Sequence, residues 1–332
     1  MSVPASIFRN TQLGIETTRG TPVAANRLLL ATSFAFKAEF EGRERFTPLG
    51  SAVPTTIQPG VELSAGSIDG ILSFTDLAYI FSAFYGSVTP TQIMDGATAT
   101  GAYRYIWTPA ARSWTDPVSL TIETGIAGSQ VFRIAGVSIS SLQIGIEPQA
   151  VNVSGNALGG RMETVAGFTA NPTERAAVLP DYTRSAIRVA TTPSGLGIAP
   201  PLAYAFSGSL NFGDRLARAL PIGLAAQYLV PQAHEPELQL TVALNSEGIT
   251  ELNRLRNNET TYVRLTFEGP VIYSGAITVR HALQIDVALM WLAWDIDDAQ
   301  NIGVTPLTGA ILQDATWGKH IEVTLTNNLS AL

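Results

Sequence analysis

Three histidines, His234, His281 and His320, are the only imidazoles in the 332-residue chain, which has no cysteine. Tetrahedral zinc takes histidine and thiolate ligands at close, regular spacing, and no HExxH or HxH arrangement occurs. The nearest thing to a metal patch, "HEPE" at 234–237, reads as a polar loop entering a strand. "WDIDDAQN" (294–301) groups Asp295, Asp297 and Asp298 but lacks the glycine and distal glutamate of a calcium loop, so a hairpin turn accounts for it. "SGLGIAP" (194–200) carries Pro200 where a dinucleotide fingerprint needs its third glycine, which leaves a flexible turn. Neither a G-x-S-x-G elbow nor a P-loop is present. Asn-x-Ser/Thr sites at Asn152, Asn258 and Asn328 matter only in a secreted chain. The expectation is a protein that is not an enzyme, with no catalytic residues, no metal and no cofactor.

The bulk properties narrow the class. Net charge is −7, and Lys37 and Lys319 are the only lysines among 20 basic residues, which is not the basic footprint of a tight nucleic-acid binder. The length fits about two domains. No apolar h-region opens the chain, and the longest apolar run, "VALMWLAW", falls far short of the roughly 20 residues of a membrane helix. These features predict a soluble protein made in the cytoplasm.

The elements that would position any site are mostly strands, and they are written twice. "LTIETGIAGSQVFRIAGVSISSLQIGI" (120–146) and "LTFEGPVIYSGAITVRHALQIDV" (265–287) share Leu-Thr, a glutamate, a turn and Leu-Gln-Ile with period-2 alternation. Ahead of them, 33–68 and 207–244 each give a strand ending at Phe40 or Phe212, a Gly/Arg turn, a long Pro-containing loop and a second strand. A helix is predicted after each. In "SFTDLAYIFSAFYG", Phe74, Leu77, Ala78, Phe81 and Phe84 share a face, with Ser73 and Asp76 as a capping-box start and Gly86 as the stop. In "NSEGITELNRLRNN", Ile249, Leu252 and Leu255 come together behind Asn245 or Ser246 as N-cap. Each copy then closes with a similar strand, "VNVSGNAL" (151–158) or "VTLTNNL" (323–329).

This order implies a tandem duplication and a mainly-β fold. Two β-sandwich or barrel domains, each with one short helix and long loops, span 30–160 and 202–332. An N-terminal arm (1–29) precedes them. The stretch 161–201, with five prolines and little periodicity, reads as an extended linker. The irregular stretch 86–117 enlarges the first copy only.

Alternation also assigns faces. With Leu120 and Ile122 turned to the core, Thr121 and Glu123 point away; with Leu142, Ile144 and Ile146 buried, Gln143 and Glu147 face outward. In the second copy Glu268, Gln284 and Asp286 fall on the polar side. Two equivalent acid-tinged faces imply a surface that lines a shared space.

The opening "QLGIETTRGTPVAANRLL" (12–29), the strand and helix order, and the series "TIETG…FRIAGVSISSLQIGI…VNVSG" resemble the major tail tube proteins of long-tailed, non-contractile bacteriophages, in the variety whose tube domain is duplicated. The resemblance covers nearly the whole chain as an order of elements. It implies trimeric, pseudo-hexameric rings, their inner sheets joined edge to edge, that stack into a hollow tube through which DNA passes during ejection. Glu123, Gln143, Glu147, Glu268, Gln284 and Asp286 would line that conduit and keep phosphates from binding. The loops 41–60 and 213–236 and the arm 1–27 would bridge rings, with Arg43, Glu44, Arg45, Arg215 and Arg218 supplying contacts. The implied partners are further copies of the chain, a tape measure protein, and distal tail and terminator proteins, with transient passage of double-stranded DNA and no membrane. The implied location is the virion tail, after assembly in the host cytoplasm. Two alternatives stay open: another ring-forming tail part such as a distal tail or terminator protein, and a β-rich glycan- or receptor-binding module using Trp107 and Trp114.

Overall fold

Period-2 alternation dominates the chain, and strands follow it: the computed structural model is mainly β, with 57% strand against 9% helix. It describes residues 9–57, 60–147, 149–219, 228–299 and 302–332. The first part of the chain gives β1 (Arg9–Ile15), β2 (Arg27–Leu29), β3 (Thr32–Glu41), the short pair β4 (Arg45–Phe46) and β5 (Thr56–Ile57), β6 (Val61–Ile71) and α1 (Asp76–Tyr85). It continues with the hairpin β7 (Thr91–Asp95) and β8 (Thr98–Trp107), then β9 (Leu120–Ile126), β10 (Val131–Glu147), β11 (Ala150–Gly159) and β12 (Met162–Val165). The remainder gives β13 (Thr173–Glu174), β14 (Asp181–Ala190), β15 (Ala205–Asp214), the pair β16 (Leu216–Ala219) and β17 (Tyr228–Pro231), β18 (Glu237–Ala243) and α2 (Ser246–Asn257). It ends with β19 (Thr261–Ser274), β20 (Thr278–Trp294), β21 (Asp297–Ala299), β22 (Ile302–Ile311) and β23 (Ile321–Asn327).

One order of pairing occurs twice. Neighbouring strands run β9-β10-β11-β6-β3 in the first half and β19-β20-β22-β18-β15 in the second, all antiparallel. The outer positions repeat too: β1 adds to β9 as β14 adds to β19, and β12 adds to the start of β10 as β23 adds to the start of β20. Long strands make this possible. β10 pairs with β9 and β12 along its first half, bends at Gly136, and continues between β11 and β15. Gly136 sits at φ 67, a conformation side chains disfavour, and the register slips there between Ile134 and Val137. One hydrophobic cluster, reaching from Leu13 to Leu329, runs through both halves.

Register corrects the matching of the repeats. The counterpart of 151–158 is β22, not 323–329, because β11 and β22 are the strands that bridge β10 to β6 and β20 to β18; β23 answers to β12 instead. The two Leu-Gln-Ile triplets are not equivalent either. Gln143 lies in the second half of β10, opposite Ser154 and Asn211, whereas Gln284 lies in the first half of β20, opposite Thr266 and Thr324. Short alternating sequences look alike at any even offset, so identity of letters cannot set register.

Other expectations also shift. The stretch 161–201 is woven into the sheets through β12 and β14 rather than hanging free. The first described residues, Arg9–Ile15, pair with β9 along their whole length, and residues 1–8 of the expected arm lie outside the described residues. The irregular stretch 86–117 contains the β7–β8 hairpin, whose β8 pairs with β23. Helix α1 starts behind Thr75 with no side-chain cap, because Ser73 bonds Thr75 Oγ1 and the Asp76 carboxylate accepts the Ala31 N–H at 3.3 Å. Gly86 stops it at φ 109. Asn245 caps α2 by accepting from the Glu247 and Gly248 amides, but Ile249 is 44% exposed and the buried positions are Gly248 and Glu251.

Candidate functional site

Eight strands join into one continuous sheet, β3-β6-β11-β10-β15-β18-β22-β20, with the second half of β10 and the end of β20 taking part. Residues directly opposite one another share a face, so the registers trace a row across all eight: Ser33, Asp69, Ser154, Gln143, Asn211, Glu237, Ala310 and Met290. The neighbouring positions Phe34, Ile68, Leu142, Ile144, Leu210 and Leu238 turn the other way and are buried. The outer face is therefore hydroxyl- and amide-rich. No arginine occurs in β3, β6, β11, β15, β18 or β22, and Lys37, the one lysine there, pairs with Glu39 at 2.8 Å.

Gln143 and Glu147 lie on this face, and both are exposed. The other residues expected beside them do not. Glu123 is fully buried: Arg133 donates to its Oε1 through Nε and Nη2 at 2.9 and 2.7 Å, and the Thr169 amide donates to Oε2 at 2.7 Å. Alternation does turn Glu123 away from the apolar core, but residues around Thr169 lie across that side and seal it. Asp286 is 4% exposed and holds Arg264 in a two-point pair at 2.7 and 2.8 Å. Gln284 donates to the same carboxylate at 3.1 Å. Glu268 is half-buried, 3.9 Å from Arg280. All four sit on β9, β19 or the first half of β20, off the eight-stranded face.

The residues expected to bridge rings fall into two groups. Arg43, Glu44 and Arg45 are exposed on the loop carrying β4 and β5, with the Arg43 guanidinium 4.8 Å over the Phe40 ring. Arg215 and Arg218 are engaged inside the chain. Arg215 is 4% exposed, donates to the Phe84 carbonyl at the end of α1, and lies over the rings of Phe84, Tyr85 and Trp114 at 5.2, 4.7 and 4.9 Å. Burial holds its pKa below the usual arginine value. Arg218 bridges to Glu39 and Glu41 at 3.1 and 3.2 Å and donates to the Ser64 carbonyl. Residues 58–59 and 220–227 of the two loops lie outside the described residues.

Among the described residues no group of three or more acidic or histidine side chains could hold a metal ion, and no helix is long and apolar enough to cross a membrane. His320 and His234 stack edge to face at 6.3 Å; burial, then His234, then Arg215 push the His320 pKa down to about 4. His281 is buried against Phe74, and burial lowers its pKa too. Asp295, between β20 and β21, and Asp297, at the start of β21, each accept from the next backbone amide. Trp107 is buried and donates to the Gly86 carbonyl, which leaves Trp114 as the more accessible of the two loop tryptophans.

Sequence reading missed the two buried ion pairs, although hairpin arithmetic holds the signal of one of them. Counting outward from the turn at 127–129 puts Arg133 opposite Glu123. Counting from the turn at 275–277 puts Asp286 opposite Thr266, and only two register slips in β19 bring Arg264 to it. No family model matches the chain, and no curated protein matches it.

Proposed function

We propose that the chain is a structural virion protein of a long, non-contractile phage tail, closing into rings that stack as the hollow tube for DNA. One observation carries this reading: the junction between the two halves leaves the molecule with two open edges of the kinds it has just joined. Inside the chain, the second half of β10 pairs with β15. The repeated pairing order makes β20 the counterpart of β10, and β3 the counterpart of β15. Among the described residues, no strand pairs with the edge of Met290–Trp294 facing away from β22, or with the edge of β3 facing away from β6. Unpaired edges attract strands. The β20 edge of one copy fits the β3 edge of the next, and the Arg9 guanidinium, which bonds the Phe34 carbonyl on that edge at 2.7 Å, gives way or shares it.

Each repeat contributes four strands to the sheet, as tandem tube domains require. With three chains, the twenty-four strands at about 4.8 Å spacing and about 40° tilt close a ring roughly 45–50 Å across between backbones. The hydroxyl- and amide-rich face then lines the bore. With no arginine and a single paired lysine, it gives phosphates nothing to neutralise them, so the genome slides without sticking. Glu147, Asp69 and Glu237 add mild repulsion.

Register supplies the test. Leu142 and Trp291 hold the same place, each opposite a glycine, Gly155 or Gly309, that faces Ile68 or Leu238 in turn. Phe34 and Leu210 correspond in the same way. The internal pair Gln143–Asn211 thus becomes Ala293–Ala35 between copies. Antiparallel partners lie within the span a disulfide bridges, and the chain has no cysteine to interfere. The Ala35→Cys/Ala293→Cys variant should link into closed three-chain species on oxidation, while neither single variant does. Electron microscopy of the unmodified protein should show hollow filaments. Single rings that never stack would point to a terminator instead, and monomers under every salt and concentration would end the ring reading.

A further inference from the structure

The two long loops occupy the same place in the repeated order, after β3 and after β15, and they meet different fates. The described residues of the second one are docked. Leaving β15, it crosses the end of the first-half sheet to reach β3 and β6: Leu216 is 3% exposed, and Arg218 holds Glu39, Glu41 and the Ser64 carbonyl. Leu216 and Leu229 form one wall of a cavity of about 860 Å³ whose other walls include Phe40, Leu63 and Trp114. The first loop has no such seat. Phe46, Leu49, Val53 and Ile57 are 58, 106, 64 and 52% exposed. Four large apolar side chains held in water on one short loop mark a contact surface.

The internal docking says where that surface belongs. The ends of β3 and the start of β6 receive the second loop, and their counterparts are the end of β15 and the start of β18. There Asp214 and Glu235 are exposed carboxylates, as Glu39 and Glu41 are the carboxylates of the first site. Next to them, past His234, a cavity of about 540 Å³ is lined by Pro236, Ile311 and His320 together with Arg112, Trp114 and the engaged Arg215. Arg43 and Arg45, exposed at the base of the first loop, stand where Arg218 stands on the second.

We infer that the loop segment 42–57 docks on the second half of a neighbouring copy in the same ring, with Arg43 and Arg45 facing Asp214 and Glu235 and Phe46 and Leu49 entering the adjacent cavity. The inference rests on the ring reading and changes one part of it: this loop holds a ring closed rather than bridging one ring to the next. The strand-edge joint and the loop joint then form one continuous interface, as β15 and its loop do inside the chain.

Charge reversal tests it in the full chain, by mass of the smallest assembled species and by electron microscopy. Arg43→Glu/Arg45→Glu and Asp214→Arg/Glu235→Arg should each lower ring affinity about tenfold or more by setting like charges face to face. All four substitutions in one chain should restore closed rings, which a merely misfolded loop would not do. Thermal melting of the monomer, unchanged from the parent, checks folding. Either double variant closing rings as well as the parent overturns the loop assignment and leaves the ring reading standing. So does a double variant that forms three-chain rings but no tube, since the loop would then serve stacking, and so does a fourfold variant that stays open. A parent protein that never assembles overturns both.

Discussion

Helices α1 and α2 occupy equivalent places in the two halves, yet all ten residues of α1 are buried, while α2 buries only Gly248 and Glu251. The helix fold alone does not explain this; what covers each helix does. Over α1 lie Phe212 and Arg215 from the second half and Trp107 from the β7–β8 hairpin, with Phe212 meeting Phe81, Phe84 and Tyr85 edge to face at 5.8, 5.9 and 6.1 Å. α2 rests on β20 through Trp291, which donates to Glu251 at 2.8 Å, and through Trp294, which donates to the Gly248 carbonyl at 3.2 Å. Its far side is open. The second half roofs the helix of the first; among the described residues α2 has no such cover.

The largest expected effect tests that roof. Phe81→Ala opens a cavity among the three rings of Tyr85, Trp107 and Phe212 and should cost about 3–5 kcal/mol in denaturant unfolding. Leu252→Ala on half-buried α2 should cost about 1 kcal/mol. Equal losses would mean the halves are packed alike and that the difference in burial has no energetic meaning.

Next come the buried ion pairs, one in each half. Removing one partner of such a pair strands the other, and Glu123→Ala should cost about 2–4 kcal/mol because it frees both Arg133 and the Thr169 amide. The Arg133 side chain is 31% exposed and can turn to water, which keeps the loss below that of a wholly enclosed pair. Asp286→Ala should cost a similar amount by releasing Arg264, with a different footprint. Hydrogen exchange at Thr169 should rise sharply in the Glu123 variant and stay unchanged in the Asp286 variant. Exchange that rises in neither would show that the segment around Thr169 is held by something other than the carboxylate.

These contrasts also show what the chain made legible. Period-2 alternation found the strands, and the glutamate of "TIETG" and the aspartate of "LQIDV" were visible as members of a polar side. Their burial was not, because it depends on which segment lies across that side, and "AGFTANP" carries no periodic signal to say that it covers Glu123. The Asn245 cap was readable, since a capping side chain bonds within three residues of itself. The seat of Arg215 was not: its three rings come from α1 and the 108–117 stretch, far away in sequence. The central sheet was half legible. Gln143 and Glu147 were placed on its open face, while the matching of Gln143 to Gln284 failed at a register slip that only pairing reveals.

The smallest expected effect separates the halves by pH. Asp76 in the first half is raised to about 6 by burial, with the Ala31 amide bond opposing the shift. Its folded pKa lies above its unfolded value of 3.8, so its contribution is fully present in acid and is lost as pH rises through about 6. The cost at neutral pH is roughly 2–3 kcal/mol. His320 in the second half runs the other way. Its folded pKa of about 4 lies below its unfolded 6.5, so its contribution is present above 6.5 and is lost as pH falls through 4. Asp76→Asn keeps the acceptor for Ala31, should raise the midpoint at pH 7, and should flatten the profile between pH 4 and 6. His320→Gln should instead soften the fall in stability on the acid side of 6.5. If Asp76→Asn left the slope between pH 4 and 6 untouched, the buried carboxylate would be ionised through that range. The burial that sets α1 apart from α2 would then not hold that carboxylate protonated.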